Sequence, residues 1–188
     1  MKEDALLIDE TLAGNNAAFG QLIQKYQDRL FNTLVHVIGC HEEAEDVAQE
    51  TFVQAFLKLN TFQRRASVYT WMYRIAFNLW ISRLRRKRPE LSVEQSRETA
   101  GAEPADDSEE PLERLEREER ARQIHLAISE LSDEHRSILV LREMEGCCYE
   151  TISEILDLPV GTVRSRLHRA RIHLKQRLKT VLSEKTET

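Results

Sequence analysis

The chain has 188 residues, 27 Lys or Arg against 32 Asp or Glu, and a formal charge of −5 at neutral pH. That length suits one large or two small domains. With four prolines and six glycines, most of it is free to be helical. The three cysteines Cys40, Cys147 and Cys148 do not make a disulfide framework and point to a reducing cytosol. Cys40 and His41 with Cys147 and Cys148 match no zinc spacing, so no metal and no cofactor is expected. Lys2, Glu3 and Asp4 open the chain without an apolar run. No stretch approaches the ~20 apolar residues needed to span a bilayer, so a cytoplasmic protein without membrane insertion is expected.

Charge is segregated along the chain. Residues 1–50 hold 3 basic and 10 acidic groups, 51–89 hold 9 and none, 89–111 hold 1 and 8, 112–159 hold 6 and 12, and 160–188 hold 8 and 2. Two basic blocks nearly free of acids imply two separate polyanion contacts, and the acidic blocks face something else, such as protein.

The predicted elements are all helical, since no useful run alternates with period two. A first helix is expected over Asp4–Ala13, ended by Gly14-Asn15-Asn16. A second runs over Ala17–Ile38 with Phe19, Leu22, Ile23, Tyr26, Leu30, Phe31 and Leu34 inward, stopped by Gly39. A third spans Glu42–Leu59 with Ala44, Val47, Ala48, Phe52, Ala55, Phe56 and Leu59 inward. A fourth spans Val68–Arg86 and ends before Pro89.

Residues 89–111 carry three prolines, Gly101 and eight acids. They cannot bury enough surface to offset ordering entropy, and read as a flexible acidic linker. It is either a passive tether or a strand that occupies a basic channel in a partner. Helix resumes over Leu112–Leu131. Ser132-Asp133 caps another helix to Glu145, which Gly146 ends. The fold class is therefore all-α: two small, separately folded helical domains, 1–88 and 112–188, joined by that linker.

The C-terminal domain ends in a helix-turn-helix. Tyr149–Leu156 offers Ile152, Ile155 and Leu156 as a core face, and Asp157-Leu158-Pro159 breaks it. Ser153 supplies the small residue of the crossing, Asp157 a turn residue that tolerates positive φ, and Val163 an apolar anchor. In the second helix, Val163, Leu167, Ala170 and Leu174 recur at i, i+4, i+7 and i+11. Arg164, His168, Arg171 and Lys175 repeat that spacing one position on, widened by Ser165 and Arg169. Between Val160 and Leu182 there are seven Lys or Arg and no acid. Such a helix suits a duplex major groove, about 12 Å wide.

The other basic block reads differently. Residues 51–89 hold eight of the twelve aromatics, including both tryptophans. Rings interleaved with cations suit single-stranded nucleic acid, whose bases stack at roughly 1–3 kcal/mol each. Phe52, Phe56, Tyr73 and Phe77 fit the inner helical face as core. For Phe62, Trp71 and Trp80, core and stacking both remain open. A duplex reader and a single-strand reader in one chain describe a protein that holds DNA and opens it nearby.

Four pieces in order give the chain a family resemblance: Ala18-Phe19 with Leu22 and Tyr26; Glu45-Asp46-Val47-Ala48-Gln49-Glu50-Thr51-Phe52-Val53-Gln54-Ala55-Phe56; Tyr69-Thr70-Trp71-Met72-Tyr73-Arg74-Ile75-Ala76-Phe77-Asn78; and Gly161-Thr162-Val163-Arg164-Ser165-Arg166-Leu167-His168-Arg169-Ala170-Arg171. Over almost its whole length it resembles a bacterial sigma factor of the extracytoplasmic-function (ECF) group. The resemblance implies that Asp46, Gln49, Glu50 and Phe52 dock on the clamp helices of core RNA polymerase, with Phe52 equally placed to be core, and that the C-terminal domain lies toward the flap region. It implies that the Thr61–Val68 loop captures a base flipped from the −10 promoter element, with Phe62, Arg64, Arg65 and Trp71 around the melted strand and Asn78 and Ser82 helping to read it. It implies that Arg164, Ser165, Arg166, His168, Arg169 and Arg171 meet the −35 element as duplex. An anti-sigma factor is the expected regulator.

The chain departs from the family in two places. The usual Phe-Arg-Gly of the loop is Phe62-Gln63-Arg64-Arg65, whose backbone is expected to be more restricted without glycine. Cys147-Cys148 stands where a Ser is more usual, and reads as a tight interhelical turn. No phosphate-binding glycine loop, carboxylate pair or nucleophile-base set suggests an enzyme. Two rivals remain: a stand-alone helix-turn-helix regulator whose N-terminal domain senses or dimerises, and a helical RNA-binding adaptor.

Overall fold

The structure, a computed structural model, describes residues 2–87 and 111–184. Among them are eight α-helices and no strand: α1 Lys2–Leu12, α2 Asn16–Ile38, α3 His41–Leu57, α4 Val68–Lys87, α5 Pro111–Ser129, α6 Asp133–Leu139, α7 Tyr149–Leu156 and α8 Val160–Glu184. The acidic linker lies outside the described residues, save Pro111, where α5 begins.

Two elements differ from the periodicity reading. The third helix stops at Leu57, and a 3-10 turn over Leu59–Thr61 follows. That turn sinks Leu59 into the core while Leu57 stays exposed. The helix begun at Asp133 is α-helical only to Leu139 and continues as a π-helical turn over Val140–Met144, where the Glu145 N–H reaches back to the Val140 carbonyl at 3.1 Å. Gly146, at φ +65°, then ends it. Phe56, expected inward, is 40 % exposed and meets Phe19 edge-on at 5.2 Å.

The apolar faces close into two clusters. The smaller joins Ile8 of α1, Phe19 and Leu22 of α2, Ala55 of α3, Leu59, and Val68 and Met72 of α4. The larger starts at Leu30, Leu34 and Val37 of α2, passes Val47 of α3 and Tyr73, Ala76 and Trp80 of α4, and continues through Ile138 and Leu141 into Ile152, Ile155, Val163, Leu167 and Ala170. Buried residues of the N-terminal and C-terminal helices therefore pack in one apolar cluster. The cause is visible in α6. Six consecutive residues, Arg136 to Leu141, are buried, and a helix buried on all sides needs neighbours on all sides.

Arg136 is the polar centre of this junction. Its Nη1 donates to the carbonyls of Val37 and Ile38 at 3.2 Å, the orphan acceptors at the end of α2. Its Nη2 donates to the Leu131 carbonyl at 3.0 Å and to Asp133 at 3.2 Å. Gly39 is needed twice over there. It sits at φ +77°, and a Cβ would lie 2.9 Å from Arg136 Nη1.

Candidate nucleic-acid interface

Helices α7 and α8 form the helix-turn-helix. Asp157 caps α7 at φ +52°, the left-handed conformation that Asp tolerates. The Leu158 N–H donates to the Ser153 carbonyl at 3.1 Å, and the Ser153 hydroxyl donates to the Leu158 carbonyl. Pro159 starts α8 by accepting from the N–H groups of Thr162 and Val163. Val163, Leu167 and Ala170 form the buried face of α8.

The six duplex candidates divide into two sets. Arg164, Ser165, His168 and Arg169 are exposed and carry no salt bridge to a described acid. Arg164 lies 5.9 Å from the centroid of the Tyr149 ring. Arg166 turns back to Glu134 at 3.3 Å, and Arg171 clasps Glu143 through Nε and Nη2 at 2.9 and 2.6 Å. Both carboxylates come from the α6 segment. Farther along, Arg177 meets Glu130 at 3.4 Å.

The second basic block places its loop between the 3-10 turn and α4. Ser67 caps α4, its hydroxyl accepting from the Thr70 N–H at 3.0 Å. Phe62 and Trp71 are half-buried, their rings tilted at 5.0 Å. Arg64 takes φ +57°, so the left-handed backbone persists where the family pattern has glycine. Its guanidinium is tied to the Asp9 carboxylate of α1, and Arg65 is exposed. Trp80 is buried in the larger cluster. Of the three aromatics left open, Trp80 is therefore core, while Phe62 and Trp71 keep accessible edges.

Asn78 and Ser82 are exposed one turn apart on α4. They continue a stripe that runs Trp71, Arg74, Asn78, Ser82 and Arg85, at i, i+3, i+7, i+11 and i+14. Arg74 and Arg85 are exposed members of it that the sequence reading did not single out, although the same spacing marks them.

The acidic candidates lie on α3. Asp46 and Gln49 are exposed, with Gln49 Nε2 donating to Glu45 at 3.2 Å. Glu50 is half-buried and receives Arg83 Nη2 at 2.7 Å, while Arg83 Nη1 lies 3.7 Å from Asp46. Phe52 packs against both core clusters. Val53 and Leu57, 58 and 66 % exposed, extend the same outward face with apolar surface.

Comparison with known proteins matches both halves. The Sigma-70 region 2 family matches residues 22–90, and Sigma-70 region 4 matches residues 121–174. The chain is 36 % identical over 188 residues to the RNA polymerase sigma-H factor of Pseudomonas aeruginosa, covering 97 % of each. It is 33 % identical over 179 residues to the ECF RNA polymerase sigma factor SigW of Bacillus subtilis, covering 92 % of this chain and 95 % of that one. In fold it is similar to the sigma factor RpoE of Bartonella quintana, solved in complex with the anti-sigma factor NepR. That match has TM-score 0.68 and 26 % identity over 86 % of this chain and 96 % of the other. With sigma region 2 spanning most of α2 to α4 and sigma region 4 ending in the helix-turn-helix, the chain belongs to the ECF group of RNA polymerase sigma factors.

Proposed function

We propose that this sigma factor binds core RNA polymerase through the α3 face and reads a promoter with two surfaces, α8 on duplex and the Phe62–Ser82 stretch on the melted strand. The observation that carries this is the pairing of two outward cationic faces with the two matched sigma regions. Arg164, Ser165, His168 and Arg169 are assigned to base edges and adjacent phosphates of the −35 element, because they alone of the six are exposed without a salt bridge to a described acid. Arg166 and Arg171 hold α8 on its carboxylate partners and meet phosphate only by leaving them. Phe62 and Trp71 give the stacking surface for an unpaired base at −10, with Arg64 and Arg65 toward phosphate and Asn78 and Ser82 toward base edges.

Asp46 and Gln49 dock on the polymerase clamp helices, Glu50 supports them through Arg83, and Val53 and Leu57 add apolar contact. Phe52 serves as core beneath that face. The division into 1–88, 89–111 and 112–188 belongs to the same reading, as do a flap-side position for the C-terminal half, an anti-sigma factor as regulator, a cytoplasmic location and the absence of catalysis by the chain itself. Among the described residues no helix is long and apolar enough to cross a membrane. A stand-alone helix-turn-helix regulator is not favoured, since region 2 is matched across the N-terminal helices.

The test is reconstituted transcription. Core polymerase with this protein, on a library of promoter fragments, should start transcripts downstream of one shared pair of sequence elements. Retardation of duplex DNA by the protein alone, with polymerase start sites unchanged, would favour the stand-alone regulator instead.

A further inference from the structure

Helix α1 lies ahead of the residues matched to sigma region 2, which run from 22 to 90, yet it is fixed against the loop that carries Phe62. Ile8, 2 % exposed, packs with Leu59, just before that loop, and with Val68 and Met72, just after it. Toward the start of α1, Asp4 accepts from Lys25 Nζ at 2.6 Å and from the Tyr26 hydroxyl at 2.8 Å. Asp9 follows Ile8 by one position, about 100° round the helix, and so leaves the core beside the loop.

The ends of the loop are held locally. The Phe62 N–H donates to the Leu59 carbonyl at 3.1 Å, and Ser67 caps α4. The middle of the loop is held by α1. Both Nη atoms of Arg64 donate to the Asp9 carboxylate, Nη1 to Oδ2 at 3.3 Å and Nη2 to Oδ1, across 55 residues of chain. A two-point fork of this kind fixes direction as well as distance. Arg64 stands at φ +57°. Glycine takes that conformation freely, whereas a residue with a Cβ is kept there by its surroundings. The Asp9 carboxylate supplies that hold. It also alters the charge that the loop presents, because Arg64 meets a phosphate as half of a neutral pair.

We propose that α1 is part of the surface that reads the melted strand, and that Asp9 is its positioning residue. Asp9 fixes Arg64, and through Arg64 the loop that sets Phe62 against Trp71 and against an unpaired base. It also offsets the charge by which a free arginine would grip any strand alike. The inference rests on the −10 reading above and deepens it. An arginine and a carboxylate from another helix here do the work of the glycine in the family pattern.

The test uses the full chain in holoenzyme with core polymerase, on a promoter that the wild type transcribes. Fork templates differ only in the base at one unpaired −10 position, and each position is taken in turn. Asp9→Asn keeps the side chain's shape and removes its charge. It should narrow the spread of affinities among the bases at least about threefold, chiefly by tightening the weak ones, and steepen the slope of log affinity against log salt by about 0.7, the share of one single-strand phosphate. With Arg64→Gly in place, Asp9→Asn should change neither value further. The exchanged pair, Asp9→Arg with Arg64→Asp, should regain most of the spread, since Asp tolerates the left-handed turn. Unchanged spread and slope in Asp9→Asn overturn the proposal. The same loss in the Arg64→Gly background overturns it too, since Asp9 would then act without Arg64. A loss of spread that comes with a fall in helix content, and that the exchanged pair does not rescue, also overturns it, because α1 would then be support alone. A wild-type holoenzyme with no spread at any unpaired position overturns instead the −10 reading on which the proposal stands.

Discussion

Helix α8 and the Phe62–Ser82 stretch are both cationic, yet they separate core from site in different ways. On α8 one helix does it by rotation alone: Val163, Leu167 and Ala170 are buried while Arg164, His168 and Arg169 are exposed. In the Phe62–Ser82 stretch one residue type serves both ends. Tyr73, Phe77 and Trp80 are core, while Phe62 and Trp71 keep open edges from a loop. A change on α8 should therefore affect either folding or binding, whereas a change in the loop stretch should affect both more often.

The largest expected effect breaks the α8 division from below. Leu167→Ala should cost about 2–5 kcal/mol in urea unfolding, because it removes a side chain that is 1 % exposed. A cost below about 1 kcal/mol would mean that the buried face of α8 is not what seats it. Next, Arg164→Ala and Arg169→Ala should each lose about 1–3 kcal/mol of promoter binding with folding unchanged. Arg171→Ala should lose less, since Glu143 already occupies it. Equal losses in all three, measured by promoter retention of the holoenzyme, would contradict the split into open and tied arginines.

For the loop stretch, Trp71→Ala should cost about 1–3 kcal/mol on a fork template with an unpaired −10 strand. It should leave retention of an upstream duplex fragment untouched. Loss on both templates would mean that Trp71 acts through folding.

Helix α1 sharpens the comparison further, since it carries the Asp9 that holds Arg64. Burial pushes the Asp4 carboxyl up, but hydrogen bonds from Lys25 and Tyr26 and the Lys25 charge outweigh it, and the net shift is downward. A carboxyl lowered in the folded state contributes stability above the ordinary range near pH 4 and loses it as pH falls through its own, lower value. Acid below about pH 4 should therefore loosen α1 and the loop before α4, and Asp4→Asn should flatten that dependence in hydrogen exchange. The smallest effect is Arg64→Gly. Glycine relieves the positive φ while an exposed ion pair is lost, and the unfolding midpoint should rise slightly. A marked fall would assign Arg64 a structural part in the loop.

Much of this was legible in the sequence because it rests on local periodicity. The helix-turn-helix bounds, the Asp157 turn and the buried face of α8 follow from spacing and from Pro159. The α3 and α4 faces follow likewise. What was not legible depends on contacts between distant segments. Arg136 reads in sequence as one more cation in an acidic stretch, and only the fold brings it to the end of α2, 98 residues away. Glu145 reaches Arg29 across 116 residues, through a π-helical turn that the 3.6-residue period does not announce. The tying of Arg166 and Arg171 to carboxylates was hidden for the same reason. One signal was available: four apolar residues in a row, Ile138 to Leu141, give a helix with no solvent face, and so a partner beyond its own half.

The most direct test is photocrosslinking from the assembled initiation complex, with probes placed at His168 and at Trp71 in separate preparations. The account predicts that the first probe captures upstream duplex and the second captures the melted strand in the same complexes. A probe at either position that reaches no nucleotide while transcripts are still made would contradict it.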